Sequence, residues 1–315
     1  TLKVNGFYNL WVKSGELVAS MSIAAGTQTI MTVMGNGQAN DDGDGGPAAV
    51  AGLDGPTAVA AAGDGTIYVA DGAAGKIRAI DPAGLVRTIR DRLNFPRSLA
   101  VAPDGSLYVV ERRGSELGKL SRLSGNTFEQ LATGSLKAVA VGPAGQVVAL
   151  EGNEIRHIAG PAGLLVEGLT NARGLGAISL AFAENGQLLI GGSGLIWSVI
   201  GKEISVLAGS GTERSPKTTA LAAQLGTITA IAFNAGIPYF LDGTAGLLRR
   251  IDTDGTLTTV AGNGYRGSYG SEARFSGNGL ALGVSLQSPL GLCALPAGGL
   301  LIADRGNHRL LRYLP

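Results

Sequence analysis

Ile67-Tyr68-Val69-Ala70-Asp71, Leu107-Tyr108-Val109-Val110-Glu111 and Val147-Val148-Ala149-Leu150-Glu151 are β-rich runs that each end in an acid, and the acids stand forty positions apart. A period near forty marks a stack of small β units, none of which can bury its apolar face alone. The phase continues through Leu188-Leu189-Ile190-Gly191, with glycine at the acidic place. It then stretches to Tyr239-Phe240-Leu241-Asp242 and Leu300-Leu301-Ile302-Ala303-Asp304, which makes six units.

Around the first run the pattern reads as four strands, at 57–62, 66–71, 76–80 and 86–90, with Gly63-Asp64-Gly65 as one of the turns between them. Six units of four strands predict an all-β fold, a six-bladed β-propeller. The innermost strands, predicted at 57–62, 98–102, 137–141, 178–182, 228–233 and 290–295, are small-sided or aliphatic, as a crowded central channel requires. The last unit supplies only three strands and ends in Leu310-Leu311-Arg312-Tyr313. Its outer strand is expected from Thr29-Ile30-Met31-Thr32-Val33-Met34-Gly35, which matches Thr258-Thr259-Val260-Ala261-Gly262 down to the Gly-Asn-Gly at its end. An N-terminal strand thus completes the last blade and removes the open edges of the ring.

The propeller is assigned to residues 29–315, and residues 1–28 to a β extension or the remnant of a preceding domain. In that extension Phe7, Tyr8, Leu10, Trp11 and Val12, with the alternating Leu17, Ala19, Met21 and Ile23, read as a hairpin. It is also the segment through which a homo-oligomer would form.

Fifty-one glycines and a 45% apolar content over 315 residues suit many short strands around ample core. The single cysteine, Cys293, lies in an apolar strand and is read as a small buried hydrophobe. No run of eighteen apolar residues is present, so no spanning helix is expected. The start at Thr1 is read as that of a mature product or fragment. Charge is unevenly placed: residues 14–75 carry seven acids and no Lys or Arg, whereas 76–137 carry eleven Lys and Arg against six acids. Such segregation steers a charged partner to one side of the molecule, or simply marks solvated faces.

Leu300-Leu301-Ile302-Ala303-Asp304-Arg305-Gly306-Asn307-His308-Arg309-Leu310 resembles the signature of NHL-repeat propellers, in which an Asp-ended strand precedes a turn carrying Asn-His-Arg. Asp71 with Lys76 and Asp242 with Arg249 are weaker copies. Val33-Met34-Gly35-Asn36-Gly37, leading through Asp42-Gly43-Asp44-Gly45-Gly46-Pro47-Ala48 to Leu53-Asp54-Gly55-Pro56, is similar to an insertion of teneurin-like and bacterial NHL proteins. A shorter version runs from Val206 through Ala220 to Leu225, and a longer one from Gly262 to Pro289. The resemblance implies the propeller; relatives include adhesion modules, RNA-binding domains and lyases, so it leaves function open.

Gly262-Asn263-Gly264-Tyr265-Arg266-Gly267 matches the dinucleotide fingerprint, but the same Gly-x-Gly recurs at Gly35 and Gly209 and no helix-forming run follows. It is read as a repeat turn. Asp42 and Asp44, between glycines, are the candidate metal ligands, for calcium, although the loop lacks the distal carboxylate of an EF-hand. The acids ending the second strands fall on one face; pairing with bases at Lys76, Arg249 and Arg309 makes them a structural ring rather than a catalytic one. Only two histidines occur, His157 and His308, and no nucleophile elbow or zinc motif. No catalytic residue is assigned. Arg87, Arg90, Arg92, Arg97, Arg112 and Arg113 concentrate in the first two blades, but interleaved acids and Phe95 as the sole nearby aromatic argue against a nucleic-acid partner.

The insertions join the outer strand of one blade to the inner strand of the next, all on the acidic-end face, and loops on a rigid scaffold carry recognition. The longest displays Tyr265, Arg266, Tyr269, Arg274 and Phe275, residue types that anchor interfaces. The expected function is therefore non-catalytic binding of a protein or glycan, at the cell surface or after secretion by a bacterium. The alternative is a calcium-dependent lyase or hydrolase working at the channel mouth.

Overall fold

The computed structural model describes residues 7–9, 22–24, 28–112, 114, 116–152, 154–161, 176–201, 203–265 and 279–315. Two short strands, β1 (Phe7–Asn9) and β2 (Ser22–Ala24), pair antiparallel as the predicted hairpin. The ring begins with β3 (Thr29–Met34).

Blade 1 is β4 (Pro56–Ala61), β5 (Ile67–Asp71), β6 (Lys76–Ile80) and β7 (Val86–Arg90). Blade 2 is β8 (Pro96–Val101), β9 (Leu107–Glu111), β10 (Gly118–Ser124) and β11 (Thr127–Gly134). Blade 3 is described for β12 (Leu136–Val141), β13 (Val147–Glu151) and β14 (Glu154–Ala159). Blade 4 is β15 (Ser179–Phe182), β16 (Leu188–Gly191), β17 (Leu195–Ile200) and β18 (Glu203–Gly209). Blade 5 takes an extra strand, β19 (Lys217–Thr219), outside β20 (Ile228–Asn234), β21 (Ile237–Asp242), β22 (Leu247–Ile251) and β23 (Thr256–Ala261). Blade 6 orders β24 (Gly279–Leu280), β3, β27 (Arg309–Leu314), β26 (Leu300–Asp304) and β25 (Pro289–Ala294).

Ring closure is as the sequence predicts. In β3, Ile30 and Met34 are buried and pair with Tyr313 and Leu310, so the first strand of the ring is clamped to the last. Without it, β27 would expose a row of unpaired backbone groups.

Second strands are buried on both faces between neighbouring blades, which is why they read as unbroken apolar runs instead of alternating ones. All of β9, β16 and β26 is buried. Each large apolar cluster spans a seam between two blades; one joins Tyr239, Leu241 and Leu248 of blade 5 to Leu300, Ile302 and Leu311 of blade 6. Burying each such Leu or Ile contributes about 1.5–3 kcal/mol, so the six seams supply most of the driving force. Cys293 packs at the seam of blades 6 and 1, and burial pushes its thiol up to about 12.

Where the sequence suggests loops, β19 and β24 extend blades 5 and 6 by a fifth strand. Both belong to insertions, and pairing to an edge strand satisfies backbone groups the loop would otherwise leave open.

Candidate functional site

The three insertions share an internal pattern. Small and aliphatic side chains at Ala48, Ala51 and Leu53 in the first, Ala220, Ala223 and Leu225 in the second, and Ala281, Val284 and Leu286 in the third are all buried. The identical spacing lets each insertion plug the blade that follows it. Their outer portions reach that blade's edge: Gly45 N–H donates to Val86 O, Lys217 pairs with Thr258, and Gly279 pairs with Ile30.

Beneath each insertion lies a buried arginine from the third strand of the same blade. Arg78, fully buried, donates to the carbonyls of Asp41, Asp42 and Gly52 and to Asp44 Oδ1. Arg249 donates to Ser215 O, and Arg309 to Ser285 O at 2.9 Å. Burying a guanidinium is tolerable only when its donors are used in this way. Burial holds Arg249 below its ordinary pKa, with Asp242 opposing.

The acids that end the second strands do related work. Asp71 accepts the Asp54 N–H at 2.8 Å, Glu111 the Asn94 N–H at 2.7 Å, Asp242 the Gly226 N–H at 3.0 Å and Asp304 the Gln287 N–H at 2.7 Å. Each carboxylate tethers the connection entering its own blade. Of the acid–base pairs read from the sequence, Asp304 and Arg309 form one at 2.9 Å, but Lys76 pairs with Asp41. Arg249 spends its donor on Ser215 O instead of Asp242. Glu151 and Arg156 form a second pair at 3.1 Å, so backbone capture recurs in four blades and ion pairing of this kind in two. At Gly191 an added Cβ would meet Ile228 Cγ2 at 2.6 Å, so the acid of blade 4 gives way to the next blade's packing.

Asp42 and Asp44 lie in the first insertion, and their oxygens have protein donors. Asp42 accepts from Gly52 N–H and Asn40 Nδ2; Asp44 accepts from Arg78 at 2.8 Å and from Thr88 N–H at 3.0 Å. Although burial raises it, the Thr88 hydrogen bonds and the Arg78 charge hold the Asp44 carboxyl below its usual value. Among the described residues no three His, Cys, Asp or Glu side chains converge as a metal centre. His308, buried, accepts the Gly55 N–H on Nδ1.

The Gly-x-Gly turns are structural. Gly35 and Gly262 have φ of +100° and +89°, and a Cβ on either would run into the carbonyl of His308 or Gly246. The following asparagines close matching turns, Asn36 accepting from Gln38 N–H and Asn263 from Tyr265 N–H, both at 2.9 Å.

Tyr265 is 57% exposed, with its carbonyl held by Ser285 Oγ. Arg266, Tyr269, Arg274 and Phe275 lie outside the described residues. Near Tyr265, a cleft of about 710 Å³ opens over blade 5 between the second and third insertions. Arg214, Gln224, Asp242, Arg249, Asn263 and the exposed Leu282 contribute to its walls.

A second cavity, of about 370 Å³, is the mouth of the central channel on the same face. Its ring is built from the second or first residues of the six innermost strands: Thr57, Arg97, Lys137, Ser179, Thr229 and Leu290. Thr57, Ser179 and Thr229 each donate a hydroxyl to the first carbonyl region of the next blade, at Pro96, Ile228 and Pro289. Arg97 and Lys137 occupy the same place in blades 2 and 3, with Arg112 beside them. Burial, then Arg112, holds Arg97 below its ordinary pKa; burial, then Arg112 and Arg97, does the same to Lys137. In the sequence Arg97 and Arg112 read as part of a basic concentration in the first two blades, and Lys137 only as the start of an inner strand. The signal was present, since 57, 97 and 137 are themselves one period apart.

Residues 286–313 match the family model of the NHL repeat, and the molecule is a six-bladed β-propeller with that repeat in its last blade. No curated protein matches the chain at significant similarity. Among solved structures, an auxiliary nutrient binding protein from Bacteroides thetaiotaomicron is similar at 17% identity and a TM-score of 0.69, over 98% of this chain and 83% of that one. A second protein of that organism, of unknown function, is 18% identical with a TM-score of 0.70, over 93% and 79% of the two chains. A virginiamycin B lyase from Staphylococcus aureus is 14% identical with a TM-score of 0.53, over 82% and 80%. At such identities the likeness establishes the fold alone. No helix among the described residues is long and apolar enough to cross a membrane.

Proposed function

We propose that this propeller is a non-catalytic binding module whose partner, a protein or a glycan, docks on the insertion-bearing face over blades 5 and 6. The observation that carries the reading is the cleft of about 710 Å³ between two insertions, with Tyr265 and Leu282 exposed close to it. Apolar and aromatic groups next to a few polar ones, on loops anchored by buried side chains, make a preorganised recognition surface. Of the second-strand acids, which an enzyme at the channel mouth would need, Asp71, Glu111, Asp242 and Asp304 each accept a backbone N–H and Glu151 pairs with Arg156. That a structural neighbour is an auxiliary nutrient binding protein accords with binding, and placement at a bacterial surface or outside the cell belongs to the same proposal.

The test replaces Tyr265, Tyr269 and Phe275 together with alanine. Binding to a glycan array or to a purified surface-protein panel is expected to disappear while the melting curve stays unchanged. Retained binding would discard this surface. The rival calcium-dependent lyase or hydrolase predicts a rise in Tm with added calcium, since a ligand of the native state stabilises it by mass action.

A further inference from the structure

The molecule treats its cations in two ways. Arg78, Arg122, Arg156, Arg250 and Arg309 each have a carboxylate partner, and Arg249 has a carbonyl. At the channel mouth, among the described residues, Arg112 Nε donates to Glu116 O, and Lys137 Nζ to Ala177 O at 3.2 Å. Among the described residues no carboxylate forms an ion pair with Arg97, Arg112 or Lys137.

Three half-buried like charges around one cavity repel one another, and the cost is recovered when an anion enters. Guanidinium forks and an ammonium together suit carboxylate or phosphate oxygens. The rest of the wall mixes the small hydroxyls of Thr57, Ser98, Ser179 and Thr229 with an apolar part made by Phe95, Leu99, Leu180, Ile231, Leu290 and Leu292. Phe95 has φ of +56°, a backbone region that a bulky side chain occupies only under strain. Its ring is held at the rim, and the Arg305 guanidinium, reaching across from blade 6, lies 5.9 Å from its centroid.

We infer that the channel mouth is a binding site for a small organic anion, whose charged end sits among Arg97, Arg112 and Lys137 and whose apolar body lies along Phe95 and the aliphatic wall. The cavity falls within the size range of small-molecule sites. This site lies on the blade 2 and blade 3 side of the axis and does not depend on the docking of a larger partner over blades 5 and 6.

The test uses the whole chain at constant ionic strength, by calorimetric titration and thermal melting. Sodium phenylacetate and phenyl phosphate represent the two head groups, phenylacetamide is the neutral analogue, and sodium sulfate is the bare anion. Saturable binding and a rise in Tm are expected with phenylacetate or phenyl phosphate, and the tighter of the two identifies the head group. Phenylacetamide is expected to do neither. Arg97→Met and Lys137→Met should each weaken binding about tenfold or more, and the double variant should lose it. Equal behaviour of phenylacetate and phenylacetamide in the wild-type chain would overturn the site whether or not the variants fold. Sulfate binding as tightly as the best organic anion would overturn the apolar half of the assignment.

Discussion

Blades 5, 6 and 1 each receive an insertion, whereas blade 2 is entered through residues 91–95 and blade 3 through little more than Ser135. In the first group an arginine of the third strand is buried under the incoming loop and donates to one or more of its carbonyls. In blades 2 and 3 Arg97 and Lys137 of the inner strands, with Arg112 just after β9, face the channel mouth instead, and among the described residues no carboxylate forms an ion pair with them. One side of the ring uses positive charge to fix loops, and the other leaves it available. The difference teaches that an insertion is not free recognition surface from end to end: its inner part is scaffold, held by an arginine and three apolar plugs.

The largest expected effect tests the ring that both halves share. Removing residues 1–36 deletes β3 and exposes the edge of β27. Cooperative unfolding should be lost, and sedimentation should show aggregates instead of a monomer. An unchanged melt would break the closure model.

Next comes a paired measurement across the divide. Arg78→Met leaves three loop carbonyls and Asp44 without their buried donor, and denaturant unfolding should show a loss of about 3 kcal/mol. Arg122→Met on blade 2, whose partner Asp104 is mostly exposed, should cost at most about 1 kcal/mol. Equal losses would erase the distinction between a loop-fixing and a surface arginine.

The subtlest effect, a slope against pH in place of a loss, concerns Asp71. Burial pushes its carboxyl up from 3.8 to about 7, against the pull of the Asp54 N–H and Arg78. Its Oδ2 is buried without a hydrogen-bond partner. Between these values the folded chain holds a proton that the unfolded chain releases, so this group's contribution to stability falls as pH rises from about 4 to about 7. Asp71→Asn should flatten that fall, read as a shallower slope of stability against pH across the window. Parallel pH profiles for variant and wild type would show that Asp71 ionises normally under the insertion.

Much of the fold was legible because it rests on local, periodic chemistry. The repeated runs, five ending in an acid and one in Gly191, mark the six second strands, and the likeness of the segment at Thr29 to that at Thr258 marks the closing strand. The insertions were recognisable by position, but their use was not. Ala48, Ala51 and Leu53 look like any small residues in a glycine-rich stretch until a blade is placed under them. The recurrence of the acids points to a structural role, yet four of them accept backbone N–H groups sixteen or seventeen residues earlier, and a backbone group has no signature in a sequence.

The candidate site divides in the same way. Tyr265 could be chosen from its residue type and its place in a long loop, whereas the cleft beside it needs two insertions brought together over blade 5. At the channel mouth the period alone puts Thr57, Arg97 and Lys137 in register. That they are half-buried, crowded by Arg112 and without carboxylates depends on side chains from six blades converging on one axis. By itself the sequence determined the number of blades, their order and the closing strand, because strand periodicity and turn chemistry act between near neighbours. Only the tertiary structure decided which arginines are capped and which are open, because burial and electrostatic compensation are set by groups tens to hundreds of residues away.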